Sequence, residues 1–85
     1  MSGIDKLVER LRSIPSDFTF SEAERLLKSL GFERDNKGKT SGSRVRFQRK
    51  SDGFSILLHK PHPGDQMMRS AVRDLYQKLY ERGDV

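Results

Sequence analysis

The sequence predicts an α+β domain of the order α-α-β-β-β-α, in which helices cover one face of a three-stranded antiparallel sheet. Two observations predict this class. Apolar residues recur at helical spacing near both ends of the chain, and apolar and polar residues alternate in its middle. A length of 85 residues, of which 33% are hydrophobic, suits one small domain with a single modest core.

Two helices are predicted in the first third of the chain. Apolar residues at helical spacing indicate a short amphipathic helix over residues 3–13, which Pro15 stops. The second helix begins after Thr19, because "TFSE" is a capping box in which Glu22 reaches back to the cap residue. Gly31 suits the left-handed turn that ends such a helix.

A long closing helix is predicted from about Asp65 to Arg82, with Gly83 as its stop. Two prolines in the preceding "KPHPG" cannot donate to a central strand, so the sheet ends before them. The pair Met67 and Met68 is expected to line the core. The apolar stripe of the helix consists of Met68, Val72, Leu75 and Leu79, joined by Ala71 and Tyr76.

The middle of the chain predicts three strands. Residues 32–35 are a short strand candidate, and a glycine-punctuated loop follows them. Residues 43–49 alternate, and residues 54–59 alternate after the turn "KSDG". The side chains expected on the open side of the sheet are Arg44, Arg46, Gln48, Ser55 and His59.

Two hairpin registers keep the apolar side chains on one face. In one register, "KSDG" is a four-residue loop and Arg44 faces His59. In the other, "DG" alone makes a tight turn and Arg46 faces His59. Both registers place His59 directly across from an arginine.

Charge favours a polyanionic partner. The formal net charge is +5, and the basic residues concentrate between positions 34 and 50, where Asp35 is the one acid. The segment also contains "GKT", as a nucleotide-binding loop does. Glu33 stands where such a loop needs its first glycine, so a P-loop is rejected.

Several classes are disfavoured by composition. The chain has no cysteine, which removes disulfides, thiol nucleophiles and cysteine zinc sites. No apolar run approaches the length of a membrane span, and the N-terminus lacks the apolar centre of a secretory signal. The expected location is therefore the cytoplasm, with no membrane partner.

The segments "LLKSLGF", "GKTSGSRVRF" and "HPG" before a last helix resemble the HicA toxins of bacterial and archaeal toxin–antitoxin pairs. The resemblance runs from about Phe20 to the C-terminus. The HicA-like domain is therefore predicted over residues 18–85, and residues 1–17 would be an N-terminal helical extension and linker. It implies a fold similar to the double-stranded RNA-binding domain. It also implies metal-independent cleavage of mRNA and a HicB-like antitoxin partner.

One position departs from the family pattern. The family has a catalytic histidine immediately after the Gly-Ser pair, and Arg44 stands there in this chain. An arginine can bind a phosphate and stabilise charge, but it cannot act as a base at neutral pH. The resemblance therefore supports the fold and the RNA-directed role more directly than it supports catalysis.

The candidate catalytic residues are His59 and Arg44, because cleavage without a metal needs a base for the ribose 2′-hydroxyl and positive charge at the phosphate. His59 is equally consistent with an edge-strand residue that has no role. His62 is interpreted as a helix-entry residue. The candidate RNA-binding residues are Lys39, Ser43, Arg44, Arg46 and Gln48.

Two alternatives to the nuclease stay open. The same fold without a catalytic base would be a non-catalytic RNA-binding module. A basic face that meets an acidic protein would make the chain a protein-interaction domain. No cofactor is expected. A metal site is not expected either, because His59, His62 and Asp65 are poorly placed to converge across two prolines.

Overall fold

The protein has three helices and a three-stranded antiparallel sheet, in the predicted order. The computed structural model describes residues 3–35, 44–61 and 64–85. The α+β fold class is therefore confirmed. The elements are α1 (Gly3–Arg12), α2 (Phe20–Ser29), β1 (Phe32–Asp35), β2 (Arg44–Arg49), β3 (Ser55–His59) and α3 (Arg69–Glu81).

The sheet has the strand order β1-β2-β3, and both pairs of neighbours are antiparallel. Arg44 pairs with His59, which confirms the four-residue loop and excludes the tight two-residue turn. The Arg49 amide donates to the Phe54 carbonyl at 2.8 Å to close the hairpin. Gly53 has φ 72°, a left-handed conformation that a side chain would disfavour.

One hydrophobic core joins all six elements. In β2 and β3, every second residue is buried, and these residues face the apolar stripes of the helices. Leu7 and Leu11 of α1 belong to the same core, although the extension was predicted as a separate segment. The boundary between an extension and a HicA-like domain at residue 17 therefore stays a prediction. In the structure, α1 packs against the same core as the other elements.

The ends of α2 match their sequence signals. Thr19 accepts the Glu22 amide at 3.1 Å, and the Glu22 carboxylate accepts the Thr19 amide at 2.9 Å, so the predicted capping box is confirmed. Gly31 follows the helix with φ 96°. The helix therefore begins and ends where local chemistry satisfies its backbone groups.

The predicted start of the last helix is wrong: α3 begins at Arg69 and not at about Asp65. The preceding segment forms an isolated antiparallel bridge, in which Gln66 pairs with Thr19. The Asp65 carboxylate accepts the Ser21 amide at 3.0 Å. These residues are thus used to hold the entrance of α2, which prevents them from continuing the helix.

This different start changes which methionine is buried. Met67 is 2% exposed, whereas Met68 is 76% exposed, so the prediction that both line the core is wrong for Met68. Val72, Leu75 and Leu79 are buried as predicted. Gly83 has φ 80° just beyond the helix, in agreement with its predicted role as the stop.

Candidate nucleic-acid interface

The side of the sheet opposite the core is the candidate interface. Strand alternation places eight residues there, and we call them the open sheet face: Glu33, Asp35, Arg44, Arg46, Gln48, Ser55, Leu57 and His59. The predicted members Arg44, Arg46 and Gln48 are exposed on it. Lys39 and Ser43, the other predicted RNA-binding residues, lie outside the described residues, as does His62.

Arg44 and His59 lie directly opposite each other across the β2–β3 pair. The β-carbons of such pairs are about 4.5 to 5.5 Å apart. Both side chains are exposed and project from the same face. A phosphate above this position is therefore within reach of a permanent cation and an imidazole together.

Arg46 lies in the middle of the face, between a carboxylate and an apolar side chain. It pairs with Asp35 on one side and with Leu57 on the other. Glu33 pairs with Gln48 in the next position. The open sheet face is thus acidic along β1 and basic along β2, a gradient that favours contact of a polyanion with the β2–β3 half.

Sequence reasoning did not place Glu33 and Asp35 on the open sheet face. Their side of the sheet depends on how β1 pairs with β2, and residues 36–43 between these strands lie outside the described residues. The sequence offers one indirect indication of their position. Phe32 is the apolar residue of β1 and faces the core, and Glu33 and Asp35 are one and three positions from it, so strand alternation places both on the opposite side.

Arg49 belongs to the basic segment of residues 34–50 but does not lie on the open sheet face. It points into the core side and is 9% exposed. Its guanidinium donates to Asp52 at 2.8 Å and 3.1 Å, and to Asp84 at 2.9 Å. It also lies 4.6 Å from the centre of the Phe32 ring. Arg49 therefore holds the fold together and is not available to a ligand.

A second arginine completes this cluster. Arg82 donates to Asp52 at 2.7 Å and stacks 4.2 Å from the Phe54 ring. Hydrogen bonds from Arg49 and then from Arg82 hold the pKa of the Asp52 carboxyl well below its ordinary value. Hydrogen bonds to Asp52 and then to Asp84 raise the pKa of Arg49 above its ordinary value. We refer to Arg49, Asp52, Arg82 and Asp84 as the Arg49 cluster.

Arg10 makes a comparable contact on α1. Its side chain is 2.8 Å from the Glu22 carboxylate, which also serves the capping box of α2. The guanidinium lies 5.7 Å from the Phe18 ring. The Arg10 charge therefore helps to hold α1 against α2. Arg10 is not part of the open sheet face.

Neither a metal site nor a membrane segment is found in the described parts of the chain. Within residues 3–35, 44–61 and 64–85, no three histidine or acidic side chains form a group that could hold a metal ion. None of the described helices is long and apolar enough to cross a membrane.

Comparison with known protein families shows which family the chain belongs to. Residues 20–79 match the model of the family described as HicA toxin of bacterial toxin-antitoxin. The chain belongs to the HicA toxin family. Membership makes it a toxin of the toxin–antitoxin kind, and it implies a HicB-like antitoxin as partner. Neither the curated proteins nor the solved structures provided a match.

The HicA match begins at the first residue of α2 and ends at Leu79 in α3. It therefore includes the whole open sheet face and leaves out α1. The candidate interface is thus built entirely from the family's part of the chain.

Proposed function

We propose that this HicA-family toxin binds RNA with the β2–β3 half of its open sheet face and cleaves mRNA there without a metal ion, in the cytoplasm. The observation that carries the proposal is the position of His59 directly across from Arg44. This pair supplies a group that can exchange a proton at neutral pH and a cation that cannot lose its charge.

In the proposed reaction, His59 takes the proton of a ribose 2′-hydroxyl. The 2′-oxygen forms a bond to the adjacent phosphorus, and the bond from phosphorus to the 5′-oxygen breaks. The leaving 5′-oxygen takes up a proton from water. Arg44 would stabilise the negative charge that accumulates on the phosphate in the transition state.

Arg46 and Gln48 would position the strand along β2. Arg46 provides a second phosphate contact two residues from Arg44 on the same face. Gln48 provides a neutral donor and acceptor beyond it, next to Ser55 on β3. Lys39 and Ser43 complete the proposed RNA-binding set from the sequence.

A second candidate is an RNA-binding module that does not cleave. The observation that favours it is the arginine at position 44, where the family pattern has its catalytic histidine. Phosphate binding by Arg44 and Arg46 needs no base, so the same face serves this function equally well.

The test is cleavage of a long unstructured RNA in EDTA by the wild-type protein and by the His59→Ala and Arg44→Ala variants. The nuclease proposal predicts cleavage by the wild type and a loss of about a hundredfold or more in rate for His59→Ala. Arg12→Ala is the matched control, because Arg12 is an exposed arginine on α1. It should cleave as the wild type does.

The two candidates give different results. RNA that stays intact in every sample but is retained by the wild type, and lost with Arg44→Ala, would identify the binding module and overturn the nuclease. Cleavage that survives His59→Ala unchanged would remove His59 from the reaction.

A further inference from the structure

A groove runs along the outer edge of β3, on the side of this strand that has no described strand neighbour. Its volume is about 390 Å³, which lies in the range of roughly 300 to 1,000 Å³ typical of ligand sites. The residues that line the groove include Leu57, His59, Pro61, Met68, Ala71 and Asp74. The groove thus separates the edge of the sheet from the beginning of α3.

Two of the most exposed apolar residues among the described residues line this groove. Leu57 is 44% exposed and Met68 is 76% exposed. A third large exposed hydrophobic residue, Tyr80, is 62% exposed near the other end of α3 and does not line the groove. Exposed apolar surface that is rimmed by polar residues is typical of a protein-contact site.

The backbone of β3 also presents hydrogen-bonding groups to the groove. The Arg49 amide bonds to the Phe54 carbonyl, and paired residues alternate between bonded and non-bonded positions from there. Leu57 and His59 consequently direct their N–H and C=O groups away from β2. An extended peptide can add to such an edge as a further strand.

The charges around the groove favour an acidic occupant. Arg46 lies across from Leu57, and Arg44 lies across from His59. Lys60 follows β3 and is exposed. Asp74 is the one carboxylate among the described lining residues, and Lys78 already neutralises it at 3.1 Å.

The N-terminus of α3 adds to this preference. Its cap residue, Met68, makes no side-chain cap, and the first turn has no acidic residue. The positive end of the helix dipole therefore stays uncompensated by this part of the chain, beside the groove. A second copy of the protein would bring the same positive charges to the contact. The side chains of Leu57 and Met68 offer no hydrogen bond to a phosphate or a sugar of RNA.

We propose that the HicB-type antitoxin docks in this groove with an extended segment that alternates acidic and apolar residues. The segment adds to the edge of β3, places its apolar side chains on Leu57 and Met68, and directs its carboxylates to Arg46, Lys60 and the start of α3. Because His59 lines the groove, the same segment covers the proposed base. The choice of partner rests on membership of the HicA family, and the covering of a base rests on the function proposed above.

The experiment is titration of the purified toxin with the HicB-type antitoxin that neutralises it, comparing wild type with Leu57→Glu, Met68→Glu and Tyr80→Glu. The first two should each weaken binding by about tenfold or more, since they place a charge in an apolar contact and repel acidic groups. Tyr80→Glu is the matched control and should stay within about twofold of wild type. All three residues are exposed, so circular dichroism should show an unchanged fold.

A second readout tests the strand geometry. The amides of Leu57 and His59 should exchange with deuterium at least tenfold more slowly in the complex, because each gains a hydrogen-bond acceptor. Wild-type affinity in both Leu57→Glu and Met68→Glu would overturn the proposal, and so would unchanged exchange of the two amides.

Other occupants give their own results. Loss of RNA retention in Leu57→Glu with full antitoxin affinity would assign the groove to RNA. A toxin dimer that dissociates in Leu57→Glu would assign it to a second copy. Either result overturns the proposal. RNA retention by Arg44→Ala, measured on the same preparations, reports separately on the proposed function.

Discussion

Arg46 and Arg49 lie three residues apart on β2 and have opposite environments. Arg46 is exposed on the open sheet face, with a carboxylate across from it on β1 and an apolar residue across from it on β3. Arg49 is on the core side, where two carboxylates and an aromatic ring enclose its guanidinium. The parity of a position on β2 thus decides whether an arginine is exposed on the open sheet face or is enclosed on the core side.

The comparison also shows why a count of basic residues overstates the binding surface. Both arginines contribute equally to the net charge, but Arg49 is neutralised by Asp52 and Asp84 within the protein. Arg46 keeps a charge that solvent and a polyanion can reach. In the proposed RNA contact, the electrostatic attraction would therefore come from fewer basic side chains than the sequence contains.

The largest effect is expected when Arg49 is changed to Ala. This variant leaves Asp84 and Asp52 without their partner and removes a cation from the Phe32 ring, so the free energy of unfolding should fall by about 2 to 4 kcal/mol. Urea unfolding followed by circular dichroism measures this change. Arg46→Ala is the control and should change the free energy by less than about 0.5 kcal/mol. Equal losses in the two variants would remove the distinction between the two sides of β2.

The Arg49 cluster should also make stability depend on pH, and Asp52→Asn should weaken that dependence. The folded-state pKa of Asp52 lies below its ordinary value of 3.8, so its contribution is present above about pH 4 and is lost as the pH falls. The thermal midpoint of the wild type should therefore fall more steeply between about pH 5 and pH 2 than that of the variant. Parallel curves for the two proteins would show that Asp52 does not gain from its arginines.

The smallest effect concerns the acidic edge of the open sheet face. Glu33→Gln removes a negative charge from the face that is proposed to bind RNA, so affinity for a single-stranded RNA should rise by about two- to threefold at low salt. Fluorescence anisotropy measures this change. Glu9→Gln on α1 alters the net charge by the same amount away from the sheet. If both variants raise the affinity equally, the effect comes from total charge and not from the face.

Local chemistry predicted much of the fold. The capping box at Thr19, the stop at Gly31 and the alternation in β2 involve residues within a few positions of each other, and all are found in the structure. The pair of Arg44 and His59 was predicted as one of two registers. The choice between them depended on the loop, whose turn is closed by the Arg49–Phe54 bond.

What the sequence left undetermined involves distant partners. The start of α3 was placed too early because Asp65 and Gln66 bond to the entrance of α2, more than 40 positions away. Arg49 belongs by position to the basic segment of residues 34–50, although its parity with Phe47 indicates the core side. Its burial becomes understandable only with Asp84, which no local pattern connects to β2.

The two carboxylates of the Arg49 cluster differ in the time at which they can act during folding. Asp52 lies in the turn of the β2–β3 hairpin, three positions from Arg49, whereas Asp84 follows α3, 35 positions away. The hairpin can therefore form with its arginine already paired, before the last helix docks. When α3 docks, Asp84 adds a second carboxylate to an Arg49 guanidinium that Asp52 already pairs. If α3 detaches for a short time, Asp52 still provides a counter-ion for Arg49.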